Sequence, residues 1–145
     1  MEKTKKYLEW KDIDINIESI CSNLGRTRFD TVLGLARGGM IPATILSYKL
    51  NCNNLQQLGV RTRDVKSVQY YGSPNVTGHV LVIDDINDSG LTFSSVDNYI
   101  RYHFDHNEIK SITYCSCYKR YNTKFKTGVY GEEIENDDWL VFPWD

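Results

Sequence analysis

The sequence predicts a layered α/β fold with a mostly parallel central sheet, and three observations carry that expectation. Strand-like apolar runs alternate with segments of helical period. The strongest run, Val80-Leu81-Val82-Ile83, is apolar on consecutive residues, as a central parallel strand covered on both faces requires. Two breaks, Arg37-Gly38-Gly39 and the residues after Ile83, directly follow such runs, and ligands of open α/β sheets collect at the carboxyl ends of strands.

The elements follow in order. Ile13, Ile17, Ile20, Cys21 and Leu24 recur at helical spacing within residues 10–24. Thr31-Val32-Leu33-Gly34-Leu35-Ala36 reads as a buried strand. Pro42 sits near the start of a helix running to about Leu50. Residues 55–63 read as a second strand. Residues 64–78 are polar, hold Gly72-Ser73-Pro74-Asn75 and show no clear period, so a long loop or weak hairpin is expected. After Val80–Ile83, a helix opens at or just past Ser89 and runs through Tyr102; residues 111–118 form a further strand, and 139–142 a short apolar run.

At 145 residues the chain is expected to be one domain, residues 1–145, large enough to bury about 70% of its unfolded surface without staples. A net charge of −2 gives no reason to expect nucleic acid or an anionic membrane as partner. Apolar runs fall far short of the roughly 20 residues that span a bilayer, and no signal peptide is read, so a cytoplasmic location is expected. Cys21, Cys52, Cys115 and Cys117 form no CxxC pair and the histidines are not at ligand spacing, so free thiols are expected.

The chemistry concentrates in Asp84-Asp85-Ile86-Asn87-Asp88-Ser89-Gly90-Leu91-Thr92. A buried strand ends in two carboxylates, a third follows three residues later, and a hydroxyl–glycine–x–hydroxyl turn then enters a helix. A helix N-terminus offers unpaired N–H groups and a positive dipole end to a phosphate. Gly90 allows close approach, Ser89 and Thr92 can add hydroxyl donors, and Asp84 and Asp85 can take hydrogen bonds from a ribose diol or hold Mg²⁺ through water. A ribose 5-phosphate separates the carboxylates from the phosphate they would otherwise repel.

This segment resembles the 5-phosphoribosyl-1-diphosphate (PRPP) signature of type I phosphoribosyltransferases, with Ser89 where threonine is commoner. The resemblance implies a three-layer α/β/α fold with a small hood from the terminal segments, and PRPP contacts from Arg37, Gly38, Gly39, Asp84, Asp85, Asp88, Ser89, Gly90, Leu91 and Thr92. Ala36-Arg37-Gly38-Gly39 resembles the family's diphosphate loop, where the peptide before the first glycine is often cis; its backbone N–H groups would face the diphosphate.

Within the family, Asp88 resembles the acid/base of the 6-oxopurine enzymes, placed near purine N7, although Asp also serves as a helix N-cap. Lys119 matches the lysine that donates to the exocyclic oxygen; an ammonium only donates, so it prefers a 6-oxo to a 6-amino group. Trp139-Leu140-Val141-Phe142-Pro143-Trp144-Asp145 resembles the C-terminal segment of bacterial xanthine-guanine phosphoribosyltransferases. That implies a purine stacked on Trp139, its edge read at Trp139 and Leu140, and Asp145 near a metal also held by Asp84 and Asp85.

Residues 64–78 match the family's lid by position, with Tyr70 and Tyr71 as candidates to cover the ribose. The implied reaction moves the 5-phosphoribosyl group of PRPP to xanthine, guanine or hypoxanthine with Mg²⁺ as cofactor. The alternatives are a PRPP-binding regulator without catalysis or an enzyme for another base. A homo-oligomer, dimer or tetramer, is expected, with Tyr99 and Tyr102 on one helix as candidate interface aromatics.

Overall fold

The computed structural model describes residues 3–62 and 67–145. In chain order the elements are β1 (Lys5–Tyr7), α1 (Trp10–Leu24), β2 (Thr31–Ala36), α2 (Met40–Lys49), β3 (Leu55–Thr62), β4 (Val68–Tyr71), β5 (Gly78–Asn87), α3 (Leu91–His103), β6 (Ile109–Arg120), β7 (Val129–Ile134) and β8 (Trp139–Val141). Six strands form one sheet in the order β4-β3-β2-β5-β6-β7. Every neighbouring pair is parallel except β3 and β4.

β5 holds the middle because Val80, Leu81, Val82 and Ile83 are all fully buried. Their alternation divides the core. Leu81 and Ile83 join Ile13, Ile17 and Ile20 of α1 and Leu46 of α2 on one face. Val80 and Val82 join Phe93, Val96 and Ile100 of α3 on the other. Each fully buried isoleucine of α1 contributes about 1.5–3 kcal/mol of transfer free energy, so the helical spacing read in the sequence is what docks this layer. Glu9 N donates to Asp12 Oδ2 at 2.8 Å and starts α1; Gly25, at φ +61°, ends it. The three-layer expectation therefore holds.

A second, two-stranded parallel sheet joins β1 to β8, with Lys5 opposite Trp139 and Tyr7 opposite Val141. This is the expected hood. β1 escaped the sequence reading because all three of its residues are exposed and no apolar pattern marks it. β7 was missed for a related reason, since it is a sheet edge on which the adjacent Glu132 and Glu133 are both exposed.

Other expectations shift. The strand after α2 is described to Thr62, and Arg63 lies outside the described residues, as do residues 64–66 of the expected lid. The remainder of that stretch forms the hairpin alternative, with Val68–Tyr71 antiparallel to β3. Tyr99 is not an open interface aromatic. It packs against the α3-side core and against the tilted rings of Tyr70 and His103, at 4.7 and 4.1 Å between centroids, leaving Tyr102 exposed. No helix among the described residues is long and apolar enough to cross a membrane.

Candidate active site

β5 carries its hydrogen-bonded register past the apolar run to Asn87, which brings Asp84 and Asp85 into the strand rather than the loop after it. Asp84 sits beside Ser116 of β6, and Asn87 beside Lys119. Each aspartate turns an oxygen onto the next peptide: Asp85 N donates to Asp84 Oδ1 and Ile86 N to Asp85 Oδ1, both at 2.8 Å. Burial, then the charge of Asp85, holds the Asp84 carboxyl well above its usual range. Burial also raises Asp85, against hydrogen bonds that pull it down. A pair of buried carboxylates disfavoured as anions is primed for cations or hydroxyl donors.

The turn that follows is built from its neighbours. Gly90 takes φ +93°, and a Cβ there would strike the Phe125 backbone and the Thr123 hydroxyl. Asn87 Nδ2 donates to the Phe125 carbonyl at 2.7 Å, Thr123 Oγ1 donates to Asn87 Oδ1 at 2.8 Å, and Lys124 N donates to the Ser89 carbonyl at 3.1 Å. The loop of residues 121–128 thus buttresses the turn from behind. Ser89 Oγ accepts from Leu91 N at 3.2 Å. α3 begins at Leu91 with Gly90 at its N-cap, so Asp88 stands two residues ahead of the cap and does not fill the N-cap role Asp often takes.

A cavity of about 310 Å³ is lined by all of residues 84–90 with Thr62, Thr92 and Phe93. It gathers six of the PRPP positions read from the sequence, Asp84, Asp85, Asp88, Ser89, Gly90 and Thr92. Arg37 lines a neighbouring cleft of about 610 Å³ at the carboxyl end of β2, together with Arg61 and Tyr71. The cis peptide is Ala36–Arg37, one bond before the position the resemblance implied. Gly38 abuts the Asp85 carboxylate, so the loop after β2 meets the end of β5 directly.

Gly39 does something other than donate to a ligand. Its N–H bonds the Leu35 carbonyl at 2.8 Å, and a Cβ would lie 2.7 Å from that same oxygen and 3.0 Å from Asp84 Cα. Glycine here lets α2 start hard against β5. Arg37 and Gly38 remain to present N–H groups.

Lys119 and Trp139 line neither the 310 Å³ cavity nor the 610 Å³ cleft. Lys119, at the end of β6, lies 3.6 Å from Glu133 Oε1 and 4.7 Å from the centre of the Tyr130 ring. Trp139 keeps 57% of its surface exposed while Leu140 is buried, and Trp139 N donates to the Thr4 carbonyl at 2.8 Å. Asp145 closes a turn through Phe142 N to its Oδ2 at 2.9 Å, and its charge is among those that raise Asp85.

Among the described residues, no cluster of three or more His, Cys, Asp or Glu could by itself hold a metal ion. Cys115 and Cys117 lie beneath the aspartates as buried thiols; desolvation first, then the charges of Asp85 and Asp84, pushes Cys117 up to about 12. They remain protonated.

The sequence reading missed Arg61, Thr62, Asn87 and Arg120. The first two lie on a strand across the sheet, and Arg120 Nε donates to Asp88 Oδ1 at 3.0 Å. Only the hydroxyl- and amide-rich turn around Asn87 offered a signal.

The chain is 29% identical over 126 residues to a xanthine-guanine phosphoribosyltransferase of Cereibacter sphaeroides, covering 79% of this chain and 68% of that protein. A xanthine-guanine phosphoribosyltransferase of Chromohalobacter salexigens is 22% identical over 142 residues, covering 95% and 82%. The crystal structure of a purine phosphoribosyltransferase from Pyrococcus horikoshii superposes with a TM-score of 0.84 at 26% identity, covering 97% of this chain and 93% of the other. The phosphoribosyl transferase domain model matches residues 3–145, and the chain belongs to that family.

Proposed function

We propose that this protein transfers the 5-phosphoribosyl group of PRPP to a 6-oxopurine, releasing diphosphate and giving a nucleoside 5′-monophosphate. The single observation behind the reading is the cavity walled by the continuous segment 84–90 with Thr92, which unites two carboxylates for a diol with a helix N-terminus for a phosphate. The similarity to xanthine-guanine and purine phosphoribosyltransferases supports the choice of base.

Asp84 and Asp85 accept from the ribose hydroxyls, and residues 88–92 grip the 5-phosphate, so positioning supplies much of the rate. Arg37 and Arg61, on the walls of the adjoining cleft, balance the charge of the diphosphate. The bond from C1 to the diphosphate oxygen breaks with its electron pair leaving on the diphosphate, and a purine ring nitrogen bonds to C1. Asp88 takes the N7 proton. Trp139 stacks on the base beside Leu140, and Lys119 turns from Glu133 to donate to the 6-oxygen.

The donor set at Asp84 and Asp85, all oxygen and disfavoured as bare anions, fits a hard divalent cation such as Mg²⁺. Among the described residues no third carboxylate joins them in a metal cluster, so PRPP oxygens and water would complete the shell, and Asp145 lies close enough for its charge to raise Asp85. Bound there, Mg²⁺ supplies charge stabilisation for the departing diphosphate.

The test is turnover of Mg-PRPP with hypoxanthine, guanine and xanthine in parallel, following nucleotide and diphosphate together. At least one base gives stoichiometric nucleoside 5′-monophosphate. Absence of product from all three, with no calorimetric heat for Mg-PRPP, overturns the reading.

A further inference from the structure

Arg120 ends β6 and is buried, and a buried guanidinium needs its donors matched. Here one side chain spans two parts of the site. Nε donates to Asp88 Oδ1 at 3.0 Å, while Nη1 donates to the carbonyls of Asn136 at 2.9 Å and Asp138 at 3.0 Å. Those carbonyls point inward because Asp138 N folds back onto Asn136 Oδ1 at 3.0 Å. Trp139 follows Asp138 directly, and Lys119 precedes Arg120 on the strand.

We propose that Arg120 is a positioning residue that sets the Asp88 carboxylate and the Trp139 face at a fixed spacing around the base. The inference rests on the purine transfer proposed above. Asp88 is more than half exposed and sits in a turn, whereas Arg120 is anchored in the sheet, so the arginine is the fixed end of the pair. The bond from Nε fixes the direction of the Asp88 carboxylate, with its Oδ1 facing the arginine. Binding through two carbonyls ties the hood to the same anchor. A planar fork reaches three acceptors in different directions; an ammonium at the end of a lysine does not reproduce that geometry.

A purely structural staple would not separate the two substrates. Arg120→Lys keeps a cation and most of the packing. Its kcat is expected to fall about tenfold and its purine KM to rise about tenfold, with the PRPP KM within twofold of wild type. In an Asp88→Asn background the same change should lower kcat less than twofold further, because the effect on turnover passes through Asp88. Exposed Asn136→Ala, which loosens only the carbonyl frame, should raise the purine KM severalfold and leave kcat and the PRPP KM unchanged.

These assays run beside wild type, with thermal melting to verify folding. Wild-type turnover with all three parameters unmoved in Arg120→Lys, or purine and PRPP KM rising together, overturns the role of Arg120 alone. If Arg120→Lys does not fold, Asn136→Ala decides, and an unchanged purine KM there overturns it. An inactive wild type instead removes the purine transfer itself, and the inference with it.

Discussion

Gly38 and Asp85 occupy touching positions: a Cβ on Gly38 would lie 2.7 Å from Asp85 Cγ and closer still to a carboxylate oxygen. The loop after β2 and the acidic end of β5 are therefore packed as one surface, with no room for a methyl group. Gly38→Ala forces the Asp85 carboxylate aside or lifts the loop. The expected result is a loss of about 1–3 kcal/mol of stability from overpacking. PRPP binding weakens at least about tenfold, about 1.4 kcal/mol, as read by calorimetric titration. Native PRPP affinity in Gly38→Ala would show that the loop does not face the ligand.

Asp84 gives a prediction with a defined sign. Burial and the Asp85 charge raise its carboxyl well above its ordinary 3.8. Between that value and the raised one, the folded chain binds more protons than the unfolded chain, so stability falls as pH rises through the window. The Asp84→Asn variant removes the buried charge but keeps an oxygen for Asp85 N. Without ligand at pH 7 it should be more stable than wild type by about 1 kcal/mol, about 3–4 °C in Tm for a chain this size, while losing PRPP binding. The two Tm curves should converge towards pH 4. A lower Tm for Asp84→Asn at pH 7 would contradict the account.

The sequence exposes one strand of this site and hides the rest, and the reasons are physical. Val80 to Thr92 is legible because a doubly buried strand must be apolar on consecutive residues, and a phosphate turn needs small residues at fixed offsets. Arg61 and Thr62 come to the site only because β2 lies between β3 and β5 in the sheet, and Arg120 only because β6 ends beside Asp88, and a single cation at a strand end has no period to detect. Gly39 was read as a donor to ligand because glycine after a strand suits either donation or close approach; only the 2.8 Å bond to Leu35 distinguishes them. β1 is invisible for the opposite reason, since its order comes from pairing with β8 rather than from burial.

Lys119 rests 3.6 Å from Glu133 and 4.7 Å from the centre of the Tyr130 ring, a long pair that its ammonium can leave for a base. A hydrogen bond from a charged donor is worth about 1.5–3 kcal/mol, or about ten- to 150-fold. Lys119→Met should therefore raise the KM for a 6-oxopurine by that factor with little change for PRPP. Glu133 is partly exposed and its pair with Lys119 is long, so Glu133→Gln should shift the same KM less than about threefold. Steady-state kinetics with both substrates varied separates the cases. A large effect of Glu133→Gln would mean that the glutamate, not the base, is the main partner of Lys119.

Trp139 tests whether the hood serves the base or only covers the core. Its side chain is 57% exposed, whereas its neighbour Leu140 is buried against the α1-side core and anchors the strand. Truncating Trp139 therefore removes little packing, and Trp139→Ala should melt within about 2 °C of wild type, as surface substitutions do. Stacking on a base is worth about 1–3 kcal/mol, so the purine KM should rise by about five- to 150-fold while the PRPP KM holds. Trp139→Phe keeps a π-face and should recover most of the difference, whereas Trp139→Leu, equally apolar but not aromatic, should not. Equal kinetics for the Phe and Leu variants would show that Trp139 contributes apolar cover alone, and the purine would then need another platform in the site.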